Sequence, residues 1–164
     1  MKEKLTIVKI GGKVIDKEEL LDQFLVDFSA DKGKKILIHG GGKIASEKGK
    51  ALGIEPNLVE GRRITDKDTL KVVTMVYGGL VNKNIVAKLQ SNGVNALGIS
   101  GADANLLKAV KRPVKTIDYG FVGDVKKEDV NTNVASKLLD LDLFPVVCAL
   151  THDGKGNLLN TNAD

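Results

Sequence analysis

Three apolar, β-branched runs in this chain each stop on glycine. Leu5-Thr6-Ile7-Val8-Lys9-Ile10 ends at Gly11-Gly12, the run 35–39 ends at Gly40-Gly41-Gly42, and the run 95–100 ends at Gly101. Each reads as a buried strand, and helical-period segments follow. Asp16, with Glu19 three residues on, has the register of a capping box, ahead of a stripe of Leu20, Leu21, Phe24, Leu25 and Phe28. A second amphipathic helix is expected over 43–52, stopped by Gly53. Strands alternating with helices imply βαβ units with right-handed crossovers. The expected class is therefore α/β, an αβα sandwich around a mostly parallel open sheet. In such sheets ligands sit at the carboxyl ends of the strands, where these glycines lie. Glycine makes up 18 of 164 residues, about 11% against a usual ~7%, with no repeat to account for it.

The rest of the chain fits the same plan. The segment 57–64 reads as extended or a hairpin. Thr65 opens a long helix to about Ser91, with Leu70, Val73, Tyr77, Leu80, Val81, Ile85 and Leu89 on one side and a possible kink at Gly78-Gly79. A turn-rich extended segment is expected over 115–125, a helix over 133–141 and one buried strand over 144–150. Asp153-Gly154 is a strong hairpin signal.

Several functions are excluded by what the chain lacks. The one cysteine, Cys148, lies in an apolar run and reads as a small buried hydrophobe. His39 and His152 have no metal-ligand spacing, so no metal site is expected; His39 reads as a neutral strand-end residue. No apolar stretch approaches the ~20 residues of a membrane span and no signal-peptide pattern opens the chain, so the expected compartment is the cytoplasm, with no membrane partner. The net charge is +4, but acidic and basic residues alternate, and the densest basic stretch, 108–115, has no aromatic interleaving. With 4% aromatic residues, no nucleic-acid partner is expected.

A glycine run between strand and helix bares backbone N–H groups to an anion; the alternative is a tight turn needing positive φ. Lys9 interrupts an apolar strand one residue before its glycines, a place for a cation directed into an anion pocket. The Walker pattern is absent, since Gly42-Lys43 is followed by Ile44. Residues 40–45 match GxGxxA after a strand, with Glu60 near the distance of a ribose-binding acid, so a Rossmann-type dinucleotide module stays open. It leaves Lys9-Ile10-Gly11-Gly12 unexplained.

Taken together, Lys9-Ile10-Gly11-Gly12, His39-Gly40-Gly41-Gly42, Gly61-Arg62-Arg63-Ile64-Thr65, Gly98-Ile99-Ser100-Gly101, Gly120-Phe121-Val122-Gly123-Asp124 and Asn160-Thr161-Asn162-Ala163-Asp164 resemble the acetylglutamate kinases of the amino acid kinase family, in order and spacing. The resemblance implies transfer of the γ-phosphoryl of ATP, with Mg2+, to the side-chain carboxylate of N-acetyl-L-glutamate in arginine biosynthesis, with no bound organic cofactor. It implies a homodimer built on the long helix, of the arginine-insensitive kind. It also implies that residues 1–164 are the N-terminal, amino-acid-binding lobe, without the nucleotide-binding lobe, and that this lobe alone is inactive.

By the same resemblance, Lys9 stabilises the phosphoryl group in flight, and Asp164 orients Lys9. Gly11 and Gly12 offer N–H groups to the ATP phosphates, and Gly41 and Gly42 hold the attacking carboxylate. Arg63 binds the substrate α-carboxylate, helped by Asn160. A carboxylate is already an anionic nucleophile, so no general base is required. Arg62 departs from the family, where that position is usually apolar. Beside Arg63 it would suit the extra carboxylate of N-succinyl-L-glutamate, or else it pairs on the surface with Glu60 or Asp66. A kinase for that acid, or a non-catalytic binding module, are the alternatives.

Overall fold

The computed structural model describes residues 4–164. Its centre is a four-stranded, all-parallel sheet in the order β1 (Leu5–Ile10), β2 (Lys34–His39), β8 (Phe144–Cys148), β5 (Ala96–Ser100). Side chains alternate along each strand, and both faces are covered, as a parallel sheet requires. Leu37, Val146 and Cys148 face a large core with Leu25, Phe28, Val73, Ile85 and Leu89. These come from α2 (Glu18–Ala30), α4 (Lys67–Val73) and α5 (Asn82–Ser91). Ile36 and Val147 face the other way, onto Leu139 of α6 (Thr132–Asp140). The expected αβα sandwich is therefore present. The three glycine-ended runs are three of its four strands.

Beside it stands a second, mixed sheet that the sequence did not announce. Its order is β6 (Val110–Lys111), β7 (Val122–Asp124), β10 (Leu158–Thr161), β9 (Leu150–His152). The run 144–150 is not one strand: it breaks at Ala149, with β8 in the parallel sheet and β9 in the mixed one. The hairpin at Asp153-Gly154 joins β9 to β10 as expected. The segment 57–64 is a small antiparallel ribbon of β3 (Leu58–Val59) and β4 (Arg62–Arg63).

Local expectations were corrected at three places. Asp16 does not cap α2: it ends a short first helix, α1 (Gly12–Ile15), and Lys17 stands at the start of α2. The long helix is capped by Asp66, not opened by Thr65. The Asp66 carboxylate accepts from the Thr69 N–H at 2.7 Å, and that bond holds the Asp66 carboxyl below the usual carboxylate range. Thr74–Val81, which includes Gly78-Gly79, is wound as a π-helix between α4 and α5 rather than as ordinary α-helix. The expected stripe is buried at Val73, Tyr77, Val81, Ile85 and Leu89, while Leu80 is exposed.

A buried lysine closes α2. Lys35, 2% exposed, donates to Phe28 O at 2.6 Å and to Asp31 O, satisfying carbonyls that a helix end leaves open. Its ammonium lies 4.8 Å from the Phe28 ring centre and 5.4 Å from that of Phe144.

Candidate active site

Because β1 and β2 are adjacent and in register, with Ile10 opposite His39, their glycines emerge side by side. Gly11 and Gly12 open α1, while Gly41 and Gly42 open α3 (Gly42–Ala51). Gly41 has φ +149°, and a Cβ there would lie 3.2 Å from the Tyr77 ring. Both the conformation and the space demand glycine. Lys9, Gly11, Gly12, Gly41 and Gly42 line one open cleft of about 190 Å3. Lys9 Nζ is ion-paired with the Asp164 carboxylate, which holds that carboxyl below its ordinary range.

A second cavity, of about 360 Å3, adjoins this cleft and shares Gly42, Tyr77, Thr161 and Asn162 with it. Arg63 enters it from β4, its Nη2 fixed by Gly42 O and Ser46 Oγ, both at 2.7 Å. Asn160 enters from β10, its amide donating to Thr65 Oγ1 at 3.0 Å rather than meeting Arg63. Backbone bonds tie the contributing loops together: Thr65 N to Tyr119 O, Phe121 N to Thr65 O, and Asn160 N to Phe121 O. Gly120 permits this, with φ +70° and room for no Cβ beside Thr65 O. Leu58, Val122 and the Tyr77 ring add apolar wall. The result is an arginine-bearing cavity opening onto a glycine-lined, lysine-bearing cleft.

The structure thus brings all eight expected site residues to two contiguous openings. Three others were missed. Ser46 follows Gly42 by one helical turn and looked like ordinary helix surface. Tyr77 sits in an apolar stripe and was counted as core. Arg112 lines the cavity while held by the Asp124 carboxylate in a two-pronged ion pair and lying 5.3 Å from the Tyr119 ring centre. That pair lowers the Asp124 carboxyl, with Arg62 adding to the effect. Arg62 itself is exposed and lines the same cavity.

Beneath the glycines lies a polar network. His39, fully buried, donates from Nδ1 to Gly40 O at 2.8 Å and accepts at Nε2 from the Asn82 amide at 3.0 Å. The amide is oriented by its second bond, to Val146 O, and by Lys83 Nζ on its oxygen. This fixes the neutral tautomer, and burial pushes the His39 pKa down to about 4. Burial likewise raises the Cys148 thiol to about 11. Among the described residues, no three His, Cys, Asp or Glu side chains gather as a metal site, and no helix is long and apolar enough to cross a membrane.

Residues 4–164 match the family model described as the amino acid kinase family. The chain belongs to the amino acid kinase family. Similar members are the acetylglutamate kinases of Phocaeicola vulgatus, 62% identical over 164 residues, and of Bacteroides thetaiotaomicron, 60% identical over 164 residues. Each alignment takes in 100% of this chain but 63% of the relative, so the chain spans less than two thirds of the curated relatives it matches. Among solved structures, a Streptococcus mutans UA159 protein superposes with TM-score 0.77 at 25% identity, covering 97% of this chain and 64% of that one.

Proposed function

We propose that this chain is the amino-acid-binding lobe of an acetylglutamate kinase. The reaction is attack of the side-chain carboxylate of N-acetyl-L-glutamate on the γ-phosphorus of ATP. One carboxylate oxygen forms the new P–O bond, the bond to the β-phosphate oxygen breaks, and an acyl phosphate and ADP result. The observation that carries this reading is the junction of the Arg63 cavity with the Lys9 cleft across Gly42. One amino-acid ligand can there place its α-carboxylate at Arg63 and its side-chain carboxylate beside the glycines.

Phosphoryl transfer is mostly positioning and charge stabilisation. Arg63, held by Gly42 O and Ser46, keeps further N–H groups for the α-carboxylate. Gly41 and Gly42 hold the nucleophile, Gly11 and Gly12 meet the phosphates, and Lys9 neutralises charge on the group in flight. Asp164 keeps Lys9 aimed at the cleft. Asn160, anchored on Thr65, faces the substrate from the opposite wall. Mg2+ bound to the ATP phosphates would supply neutralisation of phosphate charge. The relatives reported above are named for the acetylated acid, which favours N-acetyl- over N-succinyl-L-glutamate and over a dinucleotide. The cytoplasm, where ATP is supplied, is the compartment this reading implies, and the exposed Met75 and Leu80 of the long helix suit a homodimer.

Calorimetry of this chain with N-acetyl-L-glutamate, N-succinyl-L-glutamate and NADH tests the reading. Saturable binding of the acetylated acid is expected, with no acyl phosphate trapped as hydroxamate from this lobe alone. Preference for NADH, or no binding of either acid, would overturn it.

A further inference from the structure

The peptide between Gly40 and Gly41 joins two glycines, so side-chain sterics do little to stop it turning over. Nothing lies within 4 Å of a Cβ position at Gly40. Which way this peptide faces decides whether the turn offers an N–H or a carbonyl to an anion. A chain of buried hydrogen bonds fixes it from below, through His39 and Asn82, which are 0% and 1% exposed. The Val146 carbonyl only accepts, so the Asn82 group 2.9 Å from it is the amide NH2. The same nitrogen lies 3.0 Å from His39 Nε2 and gives its second proton there. Lys83 Nζ, itself 2.8 Å from Gly98 O, takes the Asn82 oxygen at 3.1 Å. Nε2 is therefore an acceptor, the ring proton sits on Nδ1, and Nδ1 donates to Gly40 O at 2.8 Å. In a planar trans peptide the C=O and the N–H point opposite ways. With Gly40 O drawn to the buried ring, the Gly41 N–H is turned away from it. Gly41 lines the cleft that holds Lys9.

We propose that His39 and Asn82 are positioning residues for the side-chain carboxylate of the amino-acid substrate: Asn82 sets the ring tautomer, and His39 holds the Gly40 carbonyl so that the Gly41 N–H faces that carboxylate. Neither side chain touches the ligand. A packing role alone would need a ring of this size at position 39 but no proton on Nδ1. The inference rests on the proposed function and narrows it to the carboxylate that attacks phosphorus.

Calorimetry on this chain compares two ligands: N-acetyl-L-glutamate, and N-acetyl-L-2-aminobutyrate, which lacks only the side-chain carboxylate. His39→Gln has no nitrogen at the Nδ1 position, and thermal unfolding followed by circular dichroism checks that the variant folds. The expected result is affinity for N-acetyl-L-glutamate weakened about tenfold, the scale of a hydrogen bond to a charged group, with affinity for the truncated ligand changed less than twofold. A similar loss for both ligands, or for neither, would overturn the inference and leave the proposed function standing. Nitrogen-15 NMR of the unaltered chain gives a second measurement that needs no variant. The His39 ring should carry its proton on Nδ1, and the Gly41 amide proton should move downfield with N-acetyl-L-glutamate but not with the truncated ligand. A proton on Nε2, or no difference at Gly41 between the two ligands, would overturn the inference alone. Failure of the unaltered chain to bind N-acetyl-L-glutamate would overturn the proposed function and the inference with it.

Discussion

Lys9 and Asp164, from the first strand and the last residue of this sequence, meet in an ion pair at the mouth of the glycine cleft. Both are partly solvated, so the pair adds little to stability, and its consequence is the direction of the lysine. In the complete kinase proposed above, Lys9→Ala should lower kcat by about 10²–10³ while KM for the amino acid changes only a few-fold. Steady-state kinetics decide it, and a loss confined to KM would contradict the role. In the chain itself, Lys9→Met should let the Asp164 carboxyl rise toward its ordinary value, read by carboxyl NMR titration.

Arg63→Ala should show the opposite balance. It removes the cation facing the α-carboxylate and leaves Ser46 Oγ without that donor. Affinity for N-acetyl-L-glutamate should fall about 10- to 100-fold, measured by calorimetry, with kcat less affected than KM.

His39 makes acid stability titrate. Its folded pKa of about 4 lies below the ordinary 6.5, so the unfolded chain binds the extra proton between these values. Stability from this group is complete above pH 6.5, falls with pH, and is lost below about 4. The span corresponds to on the order of 3 kcal/mol. His39→Gln should flatten that part of the pH profile of the urea midpoint relative to the parent chain; an unchanged slope would mean His39 is not held neutral.

Gly98 and Gly79 should respond oppositely to alanine. A Cβ at Gly98 would lie 2.1 Å from Asn82 Oδ1 and 2.8 Å from Lys83 Nζ, and Asn82 is held by His39 and Val146. Gly98→Ala should cost about 2–4 kcal/mol. Nothing lies within 4 Å of a Cβ at Gly79, and alanine there should stabilise by up to about 1 kcal/mol. Thermal denaturation of the two variants compares them directly.

The parallel sheet and its glycine ends were legible because long β-branched runs stopping on glycine have few other folds. The mixed sheet was not, since strands of two to four residues such as β6 and β7 carry no periodic signal and gain their pairing from distant chain. Capping was misassigned where two acceptors stood close together: Thr65 against Asp66, and Asp16, whose carboxylate turns back to within 3.2 Å of a Cβ position on Gly12. Lys9, Arg63 and Asn160 stood out as polar residues in apolar or motif settings. Tyr77 did not, because a tyrosine at stripe spacing looks like core until it is seen to border both openings.

The π-wound stretch also sets what heredity must preserve here. Each residue of an α-helix advances the chain by ~100° about its axis, so the winding of Thr74–Val81 fixes the phase of everything after it. A π turn holds one more residue than an α turn, so losing one codon within those eight residues would let the segment relax to ordinary winding with Asn82, Ile85 and Leu89 still turned toward the sheet. Keeping all eight while winding them as α-helix is the change that would swing the following helix out of phase. The extra residue and the looser winding therefore have to come or go together.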